Sequence, residues 1–188
     1  MIRRPPRSTL SSSSAASDVY KRQPLFHMIG TTPEAKNYSS KFLNRLDDHI
    51  ITLDDIISLK SQFGKKGDKI DVVVFAAPQL SIFEMQKVAE LCVDKSFKVP
   101  VIICTSPQVY SDASRMKLID QIEKTGAKVL EGTCFYNQYA REIGLANGWK
   151  RLMSNSAKIV NILGGYGYEP SLSSMENCIA SAVAGEIV

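Results

Sequence analysis

From Ile70 onward the hydrophobic positions alternate between two patterns. Val72–Ala76 is an unbroken apolar run, as expected of a strand buried on both faces of a parallel sheet. Ser81 and Glu84 then form a capping box, and Ile82, Met85, Val88, Ala89 and Cys92 follow at helical spacing to about Val93. Val99–Thr105 predicts a second buried strand, ahead of Ser106, Pro107 and a helix over 108–124 that Gly126 closes. Lys128–Leu130 predicts a third strand. Strands alternating with helices at about 30 residues per repeat predict successive right-handed βαβ units. The expected fold class is therefore α/β, with a mainly parallel sheet.

Beyond the third strand, a helix is expected over 137–146 with Asn147-Gly148 as its stop, then a short strand at Arg151–Met153. The polar cluster Asn155-Ser156-Ala157-Lys158 follows that strand, GGYGY at 164–168 reads as a loop, and a last helix is expected over 174–185. Upstream, Thr32 and Pro33 open a helix to about Leu46, and His49–Ile51 predicts a brief strand. Thr52 and Asp55 cap a further helix that places Ile56, Leu59 and Phe63 on one face. GKKGD at 64–68 ends it as a turn; it lacks both the spacing and the preceding strand of a phosphate loop.

Composition changes this picture at one end only. The 188 residues, 44% hydrophobic and 22% charged, suit a globular domain. The net charge of +4 resides in residues 1–23, where Arg3, Arg4, Arg7, Lys21 and Arg22 face only Asp18. The remaining 165 residues balance to zero, so the basic excess points to no nucleic-acid partner. That leading segment is rich in serine, interrupted by proline and without periodicity, and is expected to be disordered. It resembles translated sequencing-adapter read-through, so residues 24–188 are taken as the folded part, the carboxyl-terminal portion of a longer protein. No apolar run reaches the length of a membrane span. Four separated cysteines without a CxxC pair suggest a reduced, cytoplasmic setting.

In an open parallel sheet the chemistry collects at the carboxyl ends of the strands. Those ends carry Ala77-Pro78, Cys104-Thr105-Ser106 and Gly132-Thr133-Cys134. Cys104 and Cys134 end strands expected to be neighbours; two converging thiols suit a soft metal or an iron–sulfur cluster, and equally suit simple burial. Cys92 and Cys178 fall within helices and read as core. Lys158, behind Asn155 and Ser156, is either solvated or the holder of a carboxylate or phosphate. His27 and His49 have no nucleophile at a triad spacing, and no GxGxxG follows a strand.

The stretches HMIGTTPEA, IDVVVFAAPQLSIFEMQKVAEL, VPVIICTSPQVY, GAKVLEGTC, SNSAK and SMENC, in this order across 24–188, resemble the large-subunit catalytic region of the aconitase X family. That family includes phosphomevalonate dehydratase and cis-3-hydroxy-L-proline dehydratase. The resemblance implies a three-layer aconitase-like domain, a hydro-lyase acting on a small hydroxy acid such as 5-phosphomevalonate or cis-3-hydroxy-L-proline, and a small swivel-domain subunit as partner. It also implies a 4Fe–4S or 2Fe–2S cluster with Cys134 as a ligand, and Lys158 with Ser156 as substrate-binding residues. One departure bears on the cluster: where many members read Gly-Cys-Pro-His, this chain reads Ala76-Ala77-Pro78-Gln79. Ala77 removes a ligand. Cys104, one strand over, is the candidate replacement, and a further ligand is expected upstream of this sequence. A non-catalytic α/β binding domain that has lost its cluster is the alternative.

Overall fold

The structure, a computed structural model, describes residues 52–188 together with Ile2–Arg3, Thr31, Pro33 and Asp48–His49. The chain divides into two compact units, Met1–Ser58 and Leu59–Val188. In the first, β1 (Ile2–Arg3) pairs antiparallel with β2 (Asp48–His49), Ile2 opposite His49. The brief strand expected near His49 is thus found, and its partner lies in the segment expected to lack secondary structure. The helix expected after Pro33 and the side chain of His27 lie outside the described residues. Helix α1 (Leu53–Ser61) opens on the predicted capping box: the Asp55 N–H donates to Thr52 Oγ1 at 3.2 Å, and the Thr52 N–H donates to the Asp55 carboxylate at 2.8 Å. None of its residues is buried, so Ile56 and Leu59 do not form the packing face that their spacing predicts.

The second unit is built on one parallel sheet of β3 (Val72–Leu80), β4 (Val101–Thr105), β5 (Lys128–Glu131), β6 (Arg151–Ser154) and β7 (Glu169–Leu172), in the order β5-β4-β3-β6-β7. The first strand is central. The chain builds outward through β4 and β5, returns to the other side of β3, and continues through β6 to β7.

Alternation along the strands sends side chains into two cores. Val73, Phe75, Val101, Ile103 and Met153 pack against α2 (Ile82–Leu91), α3 (Pro107–Arg115), α4 (Leu118–Glu123) and α7 (Met175–Ala184). Val72, Val74, Ala76, Cys104 and Leu152 pack against a 3-10 turn at Phe135–Asn137, α5 (Ala140–Asn147) and α6 (Ala157–Leu163). Helices on both faces make three layers and explain why Val72–Phe75 is uniformly apolar. Each such side chain contributes about 1.5–3 kcal/mol by burial, which makes β3 the strand that organises the unit.

Local rules account for most boundaries. The Ser81–Glu84 capping box is present, and Gly148 ends α5 in the left-handed conformation at φ 68°. GKKGD is a turn, closed by the Lys65 N–H on the Asp68 carboxylate. Gly144 is required for packing: a Cβ there would stand 2.6 Å from the Tyr168 hydroxyl oxygen.

Four expectations change. The helix expected over 108–124 is two helices, because Lys117 turns left-handed at φ 64°. The segment over 137–146 is a 3-10 turn and then α5, separated by Tyr139 at φ 53°. β3 passes Pro78 and reaches Leu80 through a register shift against β4. Strand β7 was not expected; it contains Pro170, which is tolerated at an edge, where β7 pairs with β6 alone among the described strands. Among the described residues no helix is long and apolar enough to cross a membrane.

Candidate active site

β3 is where the direction of winding reverses, and in an open α/β sheet the crevice at that switch lies beyond the carboxyl ends of the strands. The exit of β3 is irregular there. Ala77 takes φ 47° and the register against β4 shifts between Phe75 and Leu80, so carbonyls that leave the ladder need other donors. Neighbouring strands supply them. Ser154 Oγ donates to the Val74 carbonyl at 2.7 Å, Ser156 Oγ to Ala77 at 2.6 Å, and Thr105 Oγ1 to Leu80 at 2.7 Å. The Gly132 N–H donates to the Thr105 carbonyl at 2.8 Å, and Gln79 Nε2 to the Thr133 carbonyl at 2.7 Å. The exits of four strands are thereby tied into one frame.

Two thiols meet on this frame. Cys104 is fully buried at the end of β4. Its thiol is pushed up to about 11, chiefly by burial and further by Cys134, against a hydrogen bond from the Phe135 N–H. Cys134 is half-buried at the start of the 3-10 turn and shares the second core cluster with Cys104 and Ala77. Gly132, at φ 67°, reverses the chain just ahead of it. The turn is anchored by Phe135, buried edge-to-face against Tyr168 at 6.1 Å between ring centroids. Cys92 and Cys178 lie in the other core, as their helical positions predict, with thiols pushed up to about 11 and about 12 respectively, mainly by burial.

These residues form part of a metal site at most. Iron–sulfur clusters are held by about four protein ligands, most often thiolates. Cys104 and Cys134 are two, Ala77 contributes a methyl group, and no group of three or more His, Cys, Asp or Glu able to hold a metal occurs among the described residues. The described set does not complete a cluster.

Lys158 is exposed on the first turn of α6, and its Nζ lies 5.8 Å from the centroid of the Tyr136 ring. The cation therefore leans over the turn that carries Cys134. No carboxylate pairs with it among the described residues. Ser156 is engaged twice: besides donating to Ala77, its hydroxyl caps α6 by accepting the Ile159 N–H at 3.3 Å. A hydroxyl has one proton to give, and here the protein holds it. A shallow depression of about 430 Å³ lined by Pro107, Gln108, Ser111, Asp112 and Arg115 runs along α3 and contains none of these groups.

The structure puts Cys104 and Cys134 in one core cluster and Lys158 over the Tyr136 ring of the turn that follows Cys134; Tyr136, Thr105, Ser154 and the role of Gln79 are missed from sequence. Phe135-Tyr136 directly after Cys134 was the available signal for an aromatic anchor. The strand-tip hydroxyls carry no motif; they become visible only once the exit of β3 is seen to leave its carbonyls unpaired.

The family described as Aconitase X third domain matches residues 70–184. The chain belongs to that family. It is 27% identical over 98% of its length to cis-3-hydroxy-L-proline dehydratase of Hypocrea jecorina, covering 32% of that protein. It is 25% identical over 82% of its length to the phosphomevalonate dehydratase large subunit of Methanocaldococcus jannaschii, covering 37% of it. The aconitase X third-domain chain thus spans about a third of these relatives. Its fold matches the crystal structure of Thermococcus kodakaraensis aconitase X in holo form, with a TM-score of 0.63 and 23% identity over 83% of this chain and 39% of that one.

Proposed function

We propose that the protein containing this domain is a hydro-lyase that removes water from a small hydroxy acid, and that residues 70–184 form one wall of its active site. The observation that carries this reading is the convergence of Lys158 on the Cys134 turn at the point where the sheet reverses. Dehydration needs the acid's anionic group held while the hydroxyl and a proton depart. Lys158, exposed and without a carboxylate partner among the described residues, supplies the holding charge. Ser156 serves by fixing the Ala77 carbonyl and the first turn of α6, on which Lys158 rides.

Cys104 and Cys134 remain candidate ligands of an iron–sulfur cluster whose other ligands lie elsewhere in the protein; the pair alone does not hold one. The substrate we favour is 5-phosphomevalonate, with cis-3-hydroxy-L-proline the second candidate, since relatives bearing both names match at similar identity. The archaeal relatives are named as large subunits, which supports a separate small subunit as partner. Calorimetric titration of the full-length protein with each acid tests the reading. One acid is expected to saturate, with affinity reduced in Lys158→Ala; no binding of either would overturn it in favour of a non-catalytic domain.

A further inference from the structure

We propose that Gln79 and Gln138 are positioning residues that clamp Thr133 from two sides and so set the placement of Cys134. The functional weight of this clamp rests on the reading of Cys134 as a site residue. Gln79, half-buried at the end of β3, donates its amide Nε2–H to the Thr133 carbonyl at 2.7 Å. Gln138, in the turn that follows Cys134, donates its own Nε2–H to the Thr133 hydroxyl. The residue directly before Cys134 is thus held through both its backbone and its side chain. On either side the chain is fixed as well, by the Gly132 N–H on Thr105 and by the Asn137 N–H on the Cys134 carbonyl at 2.9 Å.

The geometry explains why the β3 member of the clamp, Gln79, is a glutamine. β4 lies between β3 and β5, and strands stand about 4.8 Å apart, so a donor leaving β3 must cross a whole strand to reach the β5 exit. A long side chain spans that gap. A neutral one does so without the cost of desolvating a charge in a half-buried place, and a carboxylate would face the Thr133 carbonyl with no proton to give. β3 carries Ala77 where it offers no thiol, yet through Gln79 it still determines where the thiol of Cys134 stands. Histidine would also present an N–H donor.

The clamp is tested on the full-length, reduced, metal-free protein. Gln79→Met keeps the length and removes the donor; Gln79→His returns an N–H. The readouts are the iodoacetamide alkylation rate of Cys134, followed by peptide mass spectrometry, and hydrogen exchange at the Asn137 amide. Loss of one net hydrogen bond corresponds to roughly tenfold in a local opening equilibrium. Gln79→Met should therefore speed both processes by up to about tenfold, with Gln79→His recovering most of the wild-type rate and Cys178 unaffected. Gln138→Met, at an exposed position, should shift the Cys134 rate in the same direction and guards against misfolding of the first variant. Unchanged Cys134 alkylation in both methionine variants, or acceleration shared equally by Cys178, would overturn the proposal. Because the rates are read without iron, a protein that never takes up iron removes the ligand reading of Cys134 and leaves the clamp supported by its own result.

Discussion

The Lys158 ammonium stands 5.8 Å from the centre of the Tyr136 ring, and Tyr136 lies two residues past Cys134. The contact joins two crossovers, the one after β5 and the one after β6, that the sequence separates by more than twenty positions. At an exposed site such a cation–π contact is worth about 0.5–1 kcal/mol, enough to bias the direction of a flexible side chain and too little to hold the fold. Lys158→Ala should therefore leave the unfolding midpoint nearly unchanged. Loss of a charge-assisted hydrogen bond to a substrate anion removes about 1.5–3 kcal/mol, so KM should rise by roughly tenfold to a hundredfold. Kinetic assay of the full-length variant beside its denaturation curve checks both halves.

Ser156 is expected to behave in the opposite way. Its hydroxyl satisfies the carbonyl of the buried Ala77 and caps α6, and losing both functions costs about 1–3 kcal/mol. Ser156→Ala should lower the urea midpoint, while Ser156→Thr, which keeps the hydroxyl, should recover most of the loss. Weaker substrate binding by Ser156→Ala at unaltered stability would instead make the hydroxyl a direct substrate contact.

Gly144 sets a packing limit on the second core. An added Cβ would lie 2.6 Å from the Tyr168 hydroxyl oxygen and 2.8 Å from its ring, and Tyr168 is buried with its hydroxyl donating to the Ala140 carbonyl at 2.6 Å. Gly144→Ala should destabilise the domain by about 1–3 kcal/mol, as overpacking does. The gain in helix propensity, about 1 kcal/mol, offsets only part of that. Thermal unfolding of the variant measures the balance.

Three buried thiols give the domain an alkaline liability. Cys92, Cys104 and Cys178 are pushed up from 9.0 to about 11, 11 and 12, chiefly by burial. The folded state keeps these protons where the unfolded chain releases them, so the stability they contribute is whole below pH 9 and is lost as pH rises through 11 to 12. The urea midpoint of the reduced protein should fall across that window. Cys178→Ala should show a shallower fall, and an equal slope in the variant would assign the loss to other groups.

How much of this was legible in the sequence follows from which signals are local. The apolar run Val72–Ala76 and the Ser81–Glu84 box are short-range patterns, and both appear where expected. The meeting of Cys104 and Cys134 was legible because consecutive strands of a βαβ series are usually neighbours. Lys117 and Tyr139 adopt left-handed backbone without glycine, so the breaks they introduce left no mark in the residue types. Strand β7 is only four residues long and includes a proline, so it carries no strand pattern, and the reversal at β3 was invisible because strand order is decided by packing across the whole sheet. The hydrogen-bonded frame around Ala77 depends on contacts such as Ser156 to Ala77, 79 positions apart, which no local pattern encodes.

Dehydration at this wall is what we propose. It is tested most directly by incubating the full-length protein, purified without oxygen and with its small subunit where one is encoded, with 5-phosphomevalonate and with cis-3-hydroxy-L-proline, and following each acid by proton NMR. One acid is expected to lose the signals of the protons neighbouring its hydroxyl-bearing carbon and to yield the dehydrated product at a rate that saturates with substrate, and Lys158→Ala is expected to raise the half-saturating concentration. An active-site wall of this kind is contradicted if neither acid changes in the wild-type protein, or if turnover proceeds with the same half-saturation in Lys158→Ala.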